Sequence, residues 1–294
     1  MDITSYLLGK KASGGGGSGT KNGYTGHYDS EGLAQIGWTA DDIQYYQDNG
    51  VRWNEELDDS YKLLPDELQG EVNNNVRFLP KTSTQNSYAY YSRMIGLPYV
   101  TINNTSWNGI FRGCYNIITI PLIDTSKVTI MQSAFDGCYN LRSIPLLDTK
   151  KVTTMQSMFS ACYNLEKVPL LDTLSVDTTR NMFQYCMSLR SIPQFDTKNV
   201  TNMSNMFNGC ASLIDVPVLN TSKVTNLQGI FGSCYCLSDE SINNILQMCI
   251  NATAYESTKT LAYLGFQSTN YPTSRIQALS NYQDFIDAGW TIGY

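Results

Sequence analysis

The chain has 294 residues, 20 Lys and Arg against 26 Asp and Glu, a net charge of −6 and one histidine. An acidic balance of this size provides no basic footprint for nucleic acid or an anionic membrane. No stretch approaches the ~20 consecutive apolar residues of a membrane span.

Taken in chain order, residues 1–19 read as a peptide on a tether. Met1 to Lys11 carries Ile3, Tyr6, Leu7 and Leu8 within six residues, too few apolar side chains for a secretory signal. One or two helical turns of this length do not hold alone in water. Gly14, Gly15, Gly16, Gly17, Ser18 and Gly19 then form a flexible linker. Two readings stay open: a tail without a role, or an anchor that orders its four apolar side chains on a partner. The opening Asp-Ile-Thr-Ser-Tyr-Leu-Leu-Gly-Lys-Lys followed by a glycine run resembles the start of structural proteins of tailed phages of gut bacteria.

Residues 20–75 are expected to form a small acidic helical adaptor. Residues 1–75 hold 13 acidic and 5 basic side chains, net −8, which leaves the rest of the chain near neutrality. Thr39 is a helix start signal, Ile43, Tyr46 and Gln47 follow it, and Gly50 is a stop. Trp38 and Trp53 flank this element. The string from Gly37 through Tyr45 and Tyr46 to Trp53 resembles a segment found ahead of repeats in crAss-like and related phage proteins. Residues 76–109 read as a degenerate repeat cap, with Phe78-Leu79-Pro80 and Leu97-Pro98 as its echoes of the frame.

From 110 to 237 a 24-residue unit is written five times without insertion. Phe111/Cys114, Phe135/Cys138, Phe159/Cys162, Phe183/Cys186, Phe207/Cys210 and Phe231/Cys234 keep the beat. Leu141, Pro145, Asp148, Thr149 and Val152 recur on the same frame. A fixed period of this length marks a solenoid, whose units bury apolar surface only by stacking. Leu141 to Leu146 reads as a short inward-facing strand, paired in parallel from coil to coil and ended by Pro145. Val152, Met155, Met158 and Phe159, at spacings of three and four, read as a short helix or helical turn.

The pattern Cys-x-x-Leu-x-x-Ile-Pro, then Val-Thr-x-Met-x-x-Met-Phe-x-x-Cys, resembles the BspA-like leucine-rich repeats over about residues 76–294. It is closest to the branch rich in Asp-Thr-Ser-Lys-Val-Thr and Met-Phe. Residues 238–294 would be the C-terminal cap, because Phe285 to Ile292 looks like that family's closing segment. The resemblance implies an α/β leucine-rich-repeat-like solenoid, an adhesion or surface role and no catalytic machinery.

Candidate chemistry is sparse. The six framed cysteines form a column of buried, reduced, inert thiols, and serine at Cys162 would bury a hydroxyl without a ready partner. Cys236 and Cys249 stand outside that column. His27 has no partner for acid–base work. Asp124, Asp148, Asp172 and Asp196 suit turn capping; a string of Ca²⁺ ions is the alternative, but one carboxylate per coil is thin for a site of about six to eight oxygens. Tyr115, Tyr139 and Tyr163, with Tyr185 and Tyr235 nearby, are either half-exposed corner packing or a binding platform for sugar or protein.

No catalytic residue, metal or cofactor is expected. The expected function is a phage virion fibre or decoration component, located in the virion and made in the host cytoplasm. It would join other virion proteins through Ile3, Tyr6, Leu7 and Leu8 or through the adaptor, and would display the tyrosines to bacterial surface glycan or protein. A homo-oligomer is compatible with this, whereas nucleic-acid binding and membrane insertion are not. The alternative is a bacterial cell-surface adhesin or a scaffolding repeat protein.

Overall fold

The computed structural model describes residues 104–253, 259–262 and 271–293, with the single positions 41 and 89. The anchor peptide, the linker, almost all of the adaptor and most of the degenerate cap lie outside the described residues.

From 104 to 237 the chain winds into stacked coils on the 24-residue frame. Single parallel bridges join Ser106 to Ile130, Ile130 to Thr154, Thr154 to Thr178, Thr178 to Asn202 and Asn202 to Asn226. The phenylalanines form an internal column. Phe135, Phe159, Phe183 and Phe207 stack with centroids 5.5 and 5.6 Å apart. Leu141, Ile144, Val152, Met155, Phe159 and Cys162 are all buried with their counterparts in neighbouring coils.

The expected helix in each coil is replaced by a run of tight turns. In the coil that begins at Met131, the N–H groups of Ala134, Asp136 and Cys138 donate to the carbonyls three residues back. Between them, the N–H groups of Met131, Ser133, Phe135 and Gly137 donate to Thr154, Gln156, Met158 and Ser160 of the next coil. Alternate amides thus close turns and join coils, which no α-helix can do, because its N–H groups bond within the segment. The geometry needs left-handed backbone at two places four residues apart. Ser133, Ser157, Asn181 and Asn205 hold φ between 53° and 56° at the first. Gly137, Ala161, Tyr185 and Gly209 hold φ between 56° and 80° at the second. Met155, Met158 and Phe159 still face inward, so the apolar spacing of a helix survives without the helix.

The expected strand also differs. Leu141, Ile144 and Leu147 are buried, as are Leu165, Val168 and Leu171. Every third residue points inward, a spacing closer to a three-fold polyproline-type chain than to pleated alternation. Pairing there is thin: Arg142 N–H donates to Ile118 O and Glu166 N–H to Arg142 O. Leu146, which strand alternation places inside, is 62% exposed. The main parallel ladder runs instead through the Val-Thr segment, where Thr153 N–H donates to Thr129 O and Asp177 N–H to Thr153 O.

Two side-chain columns tie coils together. The buried hydroxyls of Thr125, Thr149, Thr173 and Thr197 donate to the carbonyls of Asp148, Asp172, Asp196 and Asn220 in the next coil. This explains the Thr that follows each Asp. The thiols point the other way. Cys138, Cys162, Cys186, Cys210 and Cys234 donate to the carbonyls of Phe111, Phe135, Phe159, Phe183 and Phe207 in the previous coil, at 3.1 to 3.2 Å.

All eight cysteines are free, with Cys236 exposed and Cys249 buried. Burial pushes the Cys162 thiol well above the usual thiol range, and Cys138 and Cys186 add to the shift. A thiol that does not ionise is a poor nucleophile. Few groups should therefore react with a thiol reagent until denaturant is added; six fast-reacting thiols would contradict the column. The partnerless hydroxyl expected of Cys162→Ser is corrected here, because Phe135 O is within reach. Cys162→Ser should cost about 1 kcal/mol or less. Cys162→Ala loses both the weak bond and packing and should cost more, about 1–2 kcal/mol.

At the C-terminal end α1 (Asp239–Asn251) closes the stack. Ser238 caps it by accepting from Ser241 N–H, while Ile242, Ile245, Leu246, Met248 and Cys249 are buried. Its side chains satisfy open backbone groups of the last coil: Val216 N–H donates to Ser241 Oγ and Asn244 Nδ2 donates to Val216 O. Next come β1 (Thr260–Ala262), α2 (Thr273–Gln277), α3 (Tyr282–Asp287) and β2 (Thr291–Gly293), with β1 and β2 paired in parallel. Phe285 and Trp290 are both buried there, with ring centroids 6.1 Å apart. Among the described residues no helix is long and apolar enough to cross a membrane.

Candidate binding surface

The corner that follows each framed cysteine is where side chains gather outside the core. Each coil enters it from a left-handed residue, buries the cysteine and turns the next residue outward. Tyr115, Tyr139 and Tyr163 occupy that outward position in three consecutive coils. Their rings stack with centroids 4.7 Å apart and planes within 15° and 13° of parallel. Each is a little over one-third exposed. Both faces of Tyr139 are covered by its neighbours, so solvent meets ring edges. Such a strip does not offer Tyr139's face to a sugar ring. It offers an edge and a hydroxyl, which suits hydrogen bonding and protein contact.

A second ladder runs beside the first. Asn164 Nδ2 donates to Asn140 Oδ1 at 3.0 Å, and Asn140 Nδ2 donates to Asn116 Oδ1 at 3.4 Å. Sequence reasoning missed this amide row, although the dipeptide Tyr-Asn recurs at 115–116, 139–140 and 163–164. The backbone supports both rows, with Asn140 N–H on Tyr115 O and Asn164 N–H on Tyr139 O.

The structure separates the other two tyrosines from this stack. Tyr185 precedes its cysteine and holds the left-handed position, with φ 61°. Its ring lies against the next coil, where a Cβ on Gly209 would stand 2.4 Å from Tyr185 Cδ1. Tyr235 is on the frame of Tyr115, but Met187 and Ala211 interrupt the row. Tyr185, Met187 and Tyr235 are each 42–45% exposed, so the ridge continues without continuous stacking. Ile3, Tyr6, Leu7 and Leu8 lie outside the described residues.

The aspartate column is built as turn caps. Asp124, Asp148, Asp172 and Asp196 accept through Oδ1 from the N–H two residues on, in Ser126, Lys150, Leu174 and Lys198. The Ser126 backbone N–H holds Asp124 below the usual carboxylate range. Asn220 makes the same bond to Ser222, which shows that the turn needs an oxygen acceptor and not a charge. Among the described residues no group of three or more His, Cys, Asp or Glu is arranged to hold a metal ion. A groove of about 630 Å³ lies further along, between the last coils and the end of α1, lined by Gln194, Asp196, Val218, Asn220, Ser222 and Asn251 among others.

The family described as "Mycoplasma protein of unknown function, DUF285" matches residues 105–213 and 163–259, together more than half of the chain. The chain belongs to the DUF285 family. Membership supports the leucine-rich-repeat, BspA-like part of the sequence reading, and with it an interaction or structural role. No curated protein matches. Among solved structures, the crystal structure of the T. pallidum leucine-rich repeat protein TpLRR is similar at 18% identity and a TM-score of 0.39, over 60% of this chain and 84% of that one. A likeness at that score leaves the coil description of this DUF285 chain to its own hydrogen-bond frame.

Proposed function

We propose that this chain is a non-enzymatic component of a phage particle, a fibre or decoration protein that presents its solenoid to the bacterial surface. The observation that carries the binding part is the paired Tyr and Asn ladder, a strip of regularly spaced, uncharged contact groups on a rigid scaffold. Protein contacts favour tyrosine, which adds area at low entropy cost. Covered ring faces favour a protein over a stacked sugar as the partner of the central tyrosine. The particle part is supported by the resemblance of residues 1–11 and 37–53 to phage structural proteins. In this reading the apolar residues Ile3, Tyr6, Leu7 and Leu8 dock in a groove of another virion protein, and the glycine run gives slack.

Deleting residues 1–19 should leave the melting temperature nearly constant and abolish incorporation into particles, as read by mass spectrometry of purified virions. If the truncated protein still assembles, the anchor is wrong and residues 20–75 become the attachment site. If the full chain is absent from particles and found on bacterial cells, the adhesin reading replaces this one.

A further inference from the structure

The repeat departs from its own frame where the groove beside the end of α1 lies. Gln194 stands where the three preceding coils hold leucine, and Asn220 stands where the four preceding coils hold aspartate. Both line the groove, together with Asp196, Val218 and Asn251. The turn at 220 needs only an oxygen acceptor, so the fold does not require an amide there; the amide adds an N–H donor. Each amide of the groove is oriented through one of its ends. Gln194 Nε2 donates to Val218 O at 2.8 Å, which leaves Oε1 as an acceptor. Asn220 Oδ1 accepts from the N–H and the hydroxyl of Ser222, at 3.0 and 2.7 Å, which leaves Nδ2 as a donor. Asn251 Oδ1 accepts from Gln247 Nε2 at 3.0 Å, which leaves its Nδ2 as a second donor. Asp196 uses Oδ1 for the Lys198 N–H and keeps Oδ2, 3.8 Å from the Lys198 ammonium, as a second acceptor.

We propose that this groove binds a neutral saccharide. Two donors and two acceptors, held in place before a ligand arrives, match neighbouring sugar hydroxyls, each of which donates one hydrogen bond and accepts others. Other ligand classes fit the lining less well. Asp196 is its one charged side chain, so an anion would meet a carboxylate and no cation. One carboxylate is also short of the about six to eight oxygens that Ca²⁺ takes. An apolar ligand would strip water from three amides without replacing the lost bonds. Val218, 38% exposed, gives the C–H face of a sugar ring an apolar contact. The volume, about 630 Å³, falls within the range of small-molecule sites, about 300–1,000 Å³. The groove shares no residue with the tyrosine strip, so this inference and the proposed function survive or fail separately.

The test is saturation-transfer NMR titration of the full chain with four trisaccharides: maltotriose, mannotriose, galactotriose and chitotriose. At least one should bind with a Kd on the order of 1 mM or below. Asn220→Asp should keep the melting temperature, because aspartate caps the same turn in four other coils. It should weaken binding roughly tenfold, because it replaces a donor by an acceptor. Asn251→Ala, at the exposed end of α1, removes the other donor and should weaken binding by a similar factor. Tyr139→Ser should leave binding unchanged. Absence of transfer to all four trisaccharides overturns the proposal. Binding that both Asn220→Asp and Asn251→Ala leave intact places the sugar elsewhere and overturns it too, as does binding lost in Tyr139→Ser at an unchanged melting temperature.

Discussion

Phe159→Ala should destabilise the chain by about 3–5 kcal/mol, which is much of the stability of a domain this size. Phe159 is fully buried and stacked between Phe135 and Phe183, with ring centroids 5.5 Å away on each side. Removing the ring opens a void in the middle of a column. The neighbours cannot slide to fill it, because the Phe135 and Phe159 N–H groups fix the coil spacing through Met158 O and Met182 O. Because coils contact only their neighbours, the loss should also split the transition, with the coils on either side melting separately. Denaturant titration followed by circular dichroism checks both points. A loss below about 1 kcal/mol would mean that the rings are not a packed column.

Gly209→Val, at a buried glycine packed against the adjoining coil, should cost on the order of 2–4 kcal/mol. The backbone holds φ at 80° there, where a β-branched residue is strained. The new Cβ would also stand 2.4 Å from Tyr185 Cδ1 and 3.3 Å from Tyr185 Cα. The two causes can be separated. In a Tyr185→Gly background the side-chain clash disappears and the backbone strain stays, so part of the loss should return. Equal destabilisation in both backgrounds would show that the Tyr185 ring does not occupy that space.

The fold was legible in the sequence where it depends on the period, and illegible where two geometries share one spacing. Phe159, Met155 and Cys162 face inward whether the segment is a helix or a chain of turns, so periodicity could not choose between them. The deciding signal was glycine at two places on the frame: Gly109 and Gly229 at one, Gly113, Gly137 and Gly209 at the other. Each sits where φ is positive. Ser157, Asn181 and Tyr185 hide the signal in the middle coils by taking the same backbone. Leu146 beside Leu147 posed a similar ambiguity, since only one of two adjacent leucines can face the core. A three-residue inward spacing settles it in favour of Leu147.

For the candidate surface, the Tyr115, Tyr139 and Tyr163 row could be read directly from the frame. The placement of Tyr185 could not, because it stands two residues earlier than the row and a left-handed backbone carries it onto the next coil. The aspartates were legible as turn caps. The hydroxyl and thiol bridges were not, since each joins residues 23 or 27 apart through a backbone oxygen that sequence does not reveal.

All of these expectations rest on alternate amides joining one coil to the next, and residue-resolved hydrogen exchange tests that directly. The N–H groups of Thr153, Met155, Ser157, Phe159 and Ala161 each reach a carbonyl of an adjoining coil. They should be strongly protected, and the protection should recur 24 residues earlier and later along the stack. Gln156 N–H, which has only a 3.4 Å contact with the Thr154 hydroxyl, should exchange much faster between two protected neighbours. Continuous protection from Thr154 through Ala161 would mean a helix in each unit and would contradict the stacked-turn solenoid.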